Sequence, residues 1–149
     1  MNYLFDTDSV SFFYDATRLP EHLRIKSCVS RLNDEDVLQV SVLTLYEFEY
    51  SYFNASATRK SHIRKTIEQI EQTFAIISLR RNFARTYGEI KSLLKHSTGR
   101  KAKEMKRYNI DLLIASTAIA ESSIVIGSDR IYQELKTLYP GFQTENWLI

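Results

Sequence analysis

The sequence of 149 residues holds one cysteine, two prolines, four glycines and three histidines, and each shortage excludes something. A lone Cys28 cannot form an internal disulfide framework or a cysteine-based zinc cluster; it fits a reducing compartment and is expected as a small core hydrophobe. His22, His62 and His96 show no zinc-ligand spacing, and so few glycines leave no phosphate-cradling loop. No nucleophilic triad pattern is present. No apolar run approaches the roughly eighteen residues that suggest a membrane helix, and no basic segment followed by an apolar stretch opens the chain. The expectation is a soluble, cytoplasmic protein with no membrane partner.

What is present is ordinary in amount and uneven in placement. A hydrophobic content of 44% supports a real core, and the length suits one domain over residues 1–149, without linker, repeat or low-complexity tract. The net charge of +2 is close to balance. Yet Lys95, Arg100, Lys101, Lys103, Lys106 and Arg107 cluster against Glu104 alone, just before Asp111. Such a run is commonly a solvated surface; beside an acidic site it also suits an enzyme acting on a polyanion.

Short apolar strands alternate with helical periodicity. Residues 2–5, 37–42, 74–79, 123–126 and 142–144 read as strands, the second rich in β-branched residues. Interrupted helical spacing runs from Phe12 to Leu32, with Pro20 suited to a first turn, and Leu43 to Phe53 reads as helix. Ile63, Ile67, Ile70 and Phe74 mark an amphipathic helix, and Phe83, Tyr87, Ile90 and Leu94 mark another. His96 to Tyr108 reads as a loop or frayed end, Asn109 as a cap, Ile110 to Glu121 as a helix apolar on nearly every side, and Ile131 to Leu138 as the last helix. Hairpin signals are lacking. The pattern predicts an α/β fold with a central parallel sheet covered by helices on both faces, where ligands gather at the carboxyl ends of strands.

Four acids fall where that architecture would use them. Asp6 ends the first strand and Asp129 follows the fourth, which places both on one rim. Glu47 lies between Tyr46 and Phe48 on an apolar stripe with Leu43 and Tyr50, so partial burial is expected; Glu49 competes with it, and periodicity does not separate them. Asp111 shares a helix face with Ile114, Ala115 and Ala118. Each acid has a plain structural reading, as a helix cap or a first-turn charge. Together they would repel one another unless a cation lay between them, and oxygen-only ligands favour a hard divalent ion such as magnesium or manganese.

The segments Tyr3-Leu4-Phe5-Asp6-Thr7-Asp8, Val40-Ser41-Val42-Leu43-Thr44-Leu45-Tyr46-Glu47-Phe48 and Asn109-Ile110-Asp111-Leu112-Leu113-Ile114-Ala115 resemble the PIN-domain ribonucleases, particularly VapC-type toxins of toxin–antitoxin pairs. The resemblance spans essentially the whole chain and selects Glu47 over Glu49. A fourth motif departs from the family: Gly127 stands where threonine is common and Ile131 where a second acid is common, leaving Ser128, Asp129 and Tyr132.

The resemblance implies a PIN-like three-layer sandwich and a metal-dependent endoribonuclease, with Asp6, Glu47, Asp111 and Asp129 around magnesium or manganese. Thr7, or else Ser9, would position water, Ser128 would assist Asp129, and Arg100, Lys101, Lys103, Lys106 and Arg107 would hold RNA phosphates. It also implies a cognate antitoxin, in a homodimer or toxin–antitoxin hetero-oligomer, docked near Tyr46, Tyr50 and Phe53 or near Phe12 and Phe13. Two alternatives stand beside it. Asp6-Thr7-Asp8-Ser9-Val10 also matches the nucleophile motif of haloacid-dehalogenase-like phosphatases, with Asp6 and Asp8 as the working pair. A catalytically inactive PIN-like module that binds RNA or protein is the other.

Overall fold

The computed structural model describes residues 1–149. The apolar run Asn2–Phe5 forms β1, and Asp6 stops it by capping α1, Thr7–Tyr14. A turn leads to α2, Glu21–Ser30, with Pro20 one residue before the helix rather than within it. The β-branched stretch Val37–Ser41 is β2; Ser41 then accepts from the Leu43 amide and starts α3, Val42–Asn54. The amphipathic α4, Ala57–Thr73, delivers the chain to β3, Ala75–Ile77.

α5 spans Phe83–Thr98 and ends at Gly99, whose φ of 70° lies in the left-handed region where glycine meets no side-chain penalty. The segment expected as loop is ordered: α6, Ala102–Met105, runs into a 3₁₀ turn, Lys106–Tyr108. Met105, almost fully buried, pins this polar stretch to the core. α7, Asn109–Glu121, β4, Ile124–Ile126, α8, Arg130–Leu138, and β5, Gln143–Glu145, complete the chain.

All four strand pairings are parallel, in the order β3-β2-β1-β4-β5. Side chains alternate across this sheet, so neighbours in sequence feed opposite cores. Leu4 and Val125 join Ile90, Leu94, Leu112 and Leu135 beneath α5, α7 and α8. Phe5, Ile124 and Ile126 join Val10, Phe13, Ile25 and Ile70 beneath α1, α2 and α4. Phe5 meets Phe13, Phe74 and Trp147 edge-on, with ring centroids 6.4, 5.2 and 5.6 Å apart. Burial on both faces is why the central strands read as unbroken apolar runs. Phe13 belongs to this core, whereas Cys28 is only half-buried at its margin.

The chain leaves β1 toward β2 and β3 on one side, and returns through β4 and β5 on the other. The order therefore reverses between β1 and β4, opening a crevice at their carboxyl ends. Asp6 sits on that edge, its amide donating to the Ile126 carbonyl at 3.0 Å.

Candidate active site at the sheet reversal

Asp6, Thr7, Asp8, Glu47, Arg107 and Asp111 line a cavity of about 230 Å³ over the crevice, with Ile110 and Ile114 as its apolar wall. Three elements supply the acids. Asp6 caps α1 directly after β1, and the first turn of α1 carries Asp8; α3 carries Glu47; the first turn of α7 carries Asp111. Residues far apart in sequence thus meet because the topology gathers strand ends and helix starts.

Asp6 is 5% exposed, and its Oδ1 accepts from the Ser9 amide at 2.8 Å. Its capping and rim positions are one position: one oxygen holds α1, and the other lies toward Gly127. Burial pushes the Asp6 carboxyl up to about 7; the Ser9 amide pulls it down, and Asp8 and Asp111 add to the rise. Burial likewise pushes Asp111 up to about 6, with Asp129 the next contributor and the Tyr132 hydroxyl opposing. Ser9 is fully buried and does not line the cavity, whereas Thr7 does.

Glu47 corrects an expectation, since its carboxylate is exposed rather than partly buried. Of the stripe read as apolar only Leu43 is buried, while Tyr46 is 66% and Tyr50 74% exposed. Glu47 is instead oriented by Thr7, whose hydroxyl donates to its Oε1 at 2.7 Å and lies 3.1 Å from the Thr44 hydroxyl. Glu49 turns away to a two-bond pair with Arg64, at 2.8 and 2.9 Å.

Asp129 stands outside the cavity lining, exposed on the rim, where its Oδ1 caps α8 through the Ile131 amide at 2.9 Å. Ser128 beside it is exposed. The reason for glycine at 127 is steric. A Cβ there would lie 2.5 Å from Cε2 of Tyr132 and 2.6 Å from Oδ2 of Asp6, closer than real Cβ contacts. Tyr132 is completely buried, its ring filling the space a larger residue 127 would need and its hydroxyl donating to Asp111 Oδ1 at 3.3 Å. Burial first, and then the surrounding carboxylates, push that phenol far above its ordinary range, so it stays a donor.

The basic residues disperse. Arg100 is bound to Glu134 through two contacts of 2.6 and 3.0 Å, and Lys101 and Lys103 are exposed around α6. Lys106 lines a separate groove, and Arg107 alone of the five reaches the acidic cavity, where it forms no ion pair. Asn109 does not cap α7; it is the first helical residue, and its side-chain oxygen accepts from Lys91 at 2.8 Å and Tyr87 at 3.1 Å. Sequence reasoning missed this network and the Tyr132 bond, which join residues 18 to 22 positions apart.

An adjoining groove of about 490 Å³ shares Thr7, Glu47 and Ile110 with the cavity and is bordered by Tyr46, Tyr50 and Arg59. As the side chains stand, no three acidic or imidazole groups close tightly around one point. The donor set nevertheless fits a hard divalent cation: it is all carboxylate and hydroxyl, and burial pushes its two most buried acids up, a cost that a bound cation would offset.

These features define an acid-lined site on a reversing parallel sheet. The PIN domain family matches residues 3–138, and the chain belongs to that family. Its fold is also that of three solved structures. VapBC2 from Rickettsia felis, bound to a DNA fragment from its promoter, is 22% identical with a TM-score of 0.76, over 99% of each chain. VapBC-1 from nontypeable Haemophilus influenzae has the same identity and TM-score, over 99% of this chain and 98% of that one. VapBC-5 from Mycobacterium tuberculosis, a member of the VapBC family of toxin–antitoxin systems, is 19% identical with a TM-score of 0.69, over 97% and 98%. A comparison with curated proteins gives no match. The resemblance drawn from the three motifs is thereby borne out for family and fold, and the phosphatase alternative falls away. No helix is long and apolar enough to cross a membrane.

Proposed function

We propose that this protein is a metal-dependent endoribonuclease, the toxin of a toxin–antitoxin pair. The observation that carries the reading is the single cavity at the sheet reversal, where Asp6, Asp8, Glu47 and Asp111 meet beside one unpaired Arg107. Membership of the PIN family and the fold shared with VapBC chains support it.

A magnesium or manganese ion bound among these acids would supply Lewis acidity and a water activated for in-line attack on a phosphodiester. Asp6, Glu47 and Asp111 would hold it, with Asp129 contributing from the rim. Asp6 and Asp111 would be ionised in the loaded site, a bound cation's charge offsetting the burial that otherwise favours their protons. Thr7 fixes Glu47 through its hydroxyl and is the cavity residue suited to orient water. Arg107 contacts a non-bridging phosphate oxygen and offsets charge that develops on it. Ser128 and the exposed lysines 101, 103 and 106 assist in holding RNA. The cytoplasm, where RNA and a reduced Cys28 would both be found, is the compartment that fits.

A cognate antitoxin would cover the rim, using the groove beside exposed Tyr46 and Tyr50, within a homodimer or a toxin–antitoxin hetero-oligomer. The deciding experiment is cleavage of a mixed cellular RNA pool by purified protein with magnesium or manganese, against Asp6→Asn and Asp111→Asn. Each variant is expected to lose at least about a hundredfold in rate, and chelator to abolish cutting. Folded wild type that cuts nothing and binds no divalent cation by calorimetry would instead favour an inactive RNA- or protein-binding module.

A further inference from the structure

We infer that a second groove, between α5, α6 and the 3₁₀ turn, is a phosphate-binding track for the single-stranded RNA flanking the cut. The inference rests on the nuclease reading for the identity of its occupant. The groove has a volume of about 410 Å³ and is lined by Lys91, Lys95, His96 and Lys106, with the Ser92 hydroxyl between them and no acid anywhere on its wall.

Its charge is uncompensated within the molecule. Ion pairs engage Arg64, Arg80, Arg100, Arg130 and the N-terminus, but none of the groove lysines. Lys91 is held by neutral partners only, Asn109 Oδ1 at 2.8 Å and the Tyr87 hydroxyl at 3.2 Å, so its ammonium is positioned without being neutralised. Lys91 and Lys95 stand one helical turn apart on the same face of α5, a like-charge arrangement that disfavours the helix until an anion bridges it.

The groove and the acidic cavity are linked through one turn. Lys106 lines the groove and its neighbour Arg107 lines the cavity, both from the single 3₁₀ turn. A strand that leaves the cavity past Arg107 and rounds this turn meets Lys106, then Lys95 and Lys91. This shared turn favours a polyanion that also occupies the cavity, which RNA does and an acidic protein segment need not.

The test is fluorescence anisotropy of a labelled, uncleavable oligouridylate in chelator, titrated with salt, for wild type, Lys95→Gln/Lys106→Gln and Lys60→Gln/Lys65→Gln. The last pair removes the same charge from α4, on the other face of the sheet. The groove variant should bind roughly 10- to 30-fold more weakly at 0.1 M salt, with a log–log salt slope smaller by about 1.4, while the α4 variant matches wild type. Equal slopes in all three proteins overturn the track and, if wild type still cuts RNA, leave the nuclease standing. Reduced slope in a protein that cuts nothing keeps phosphate binding by the groove but overturns its assignment to RNA flanking a cut. Polyglutamate bound as tightly as oligouridylate, and lost equally in the groove variant, would assign the groove to an acidic protein segment and overturn the inference.

Discussion

Tyr132 and Asp111 are joined across two helices by the phenol of the first, which donates to Oδ1 of the second at 3.3 Å. The bond stabilises the charged form of a carboxylate that burial otherwise disfavours. Tyr132→Phe keeps the ring in its place and removes only this donor. The variant should fold with a loss of about 1 kcal/mol and bind manganese severalfold more weakly by calorimetry. Unchanged manganese affinity would show that the phenol does not influence the acid.

Gly127 is bound to the same ring by exclusion. Gly127→Ala must displace Tyr132 or Asp6 and should cost about 1–3 kcal/mol in urea unfolding, the range for overpacking a filled core. Adding Tyr132→Leu should recover part of that loss, a coupling measurable in a double-mutant cycle, without recovering RNA cleavage. Additive losses would place the strain elsewhere.

Asp6 and Asp111 bind protons more tightly folded than unfolded, at about 7 and about 6 against an ordinary 3.8. Between pH 4 and 7 the folded chain thus carries the extra protons, and the stability of the metal-free protein falls as pH rises through that window. Below pH 4 this difference vanishes. Melting curves in chelator should show lower stability at pH 8 than at pH 5.5. Magnesium or manganese should reverse the decline at pH 8 and do little at pH 5.5, where protons occupy the same oxygens. A metal-free melting temperature that stays level or rises over this range would contradict both shifts.

Glu47 and Glu49 separate cleanly. Glu47→Gln should reduce RNA cleavage by about a hundredfold or more, whereas Glu49→Gln breaks only an exposed pair with Arg64 and should leave cleavage near wild type. Parallel rate measurements on one RNA decide the matter, and equal losses would implicate α3 as a whole.

The legible features were those set by local pattern. Alternating apolar strands and helices announced a parallel sheet, and such a sheet brings Asp6 and Asp129 to one edge whatever their partners. The exposure of Glu47 is not legible because its aromatic neighbours look alike in sequence: Phe48 is half-buried, while Tyr46 faces solvent. α6 was hidden because a single residue, Met105, anchors an otherwise polar stretch. Gly127 looked like erosion of a motif until the ring of Tyr132 gave it a steric reason. Arg100 could not be seen to prefer Glu134, 34 residues away, over a phosphate. Pairings of that range come from packing, and periodicity carries no trace of them.

The double duty of Asp6, which holds the first turn of α1 with one oxygen while the other faces the crevice, shapes how this protein could fall silent. Asparagine caps a helix as well as aspartate does. The codons for the two differ by one base, so a single transition could erase the charge and leave the architecture intact. A lineage carrying that change would keep the folded chain and lose the charge at the crevice, so loss of the site would precede loss of the fold.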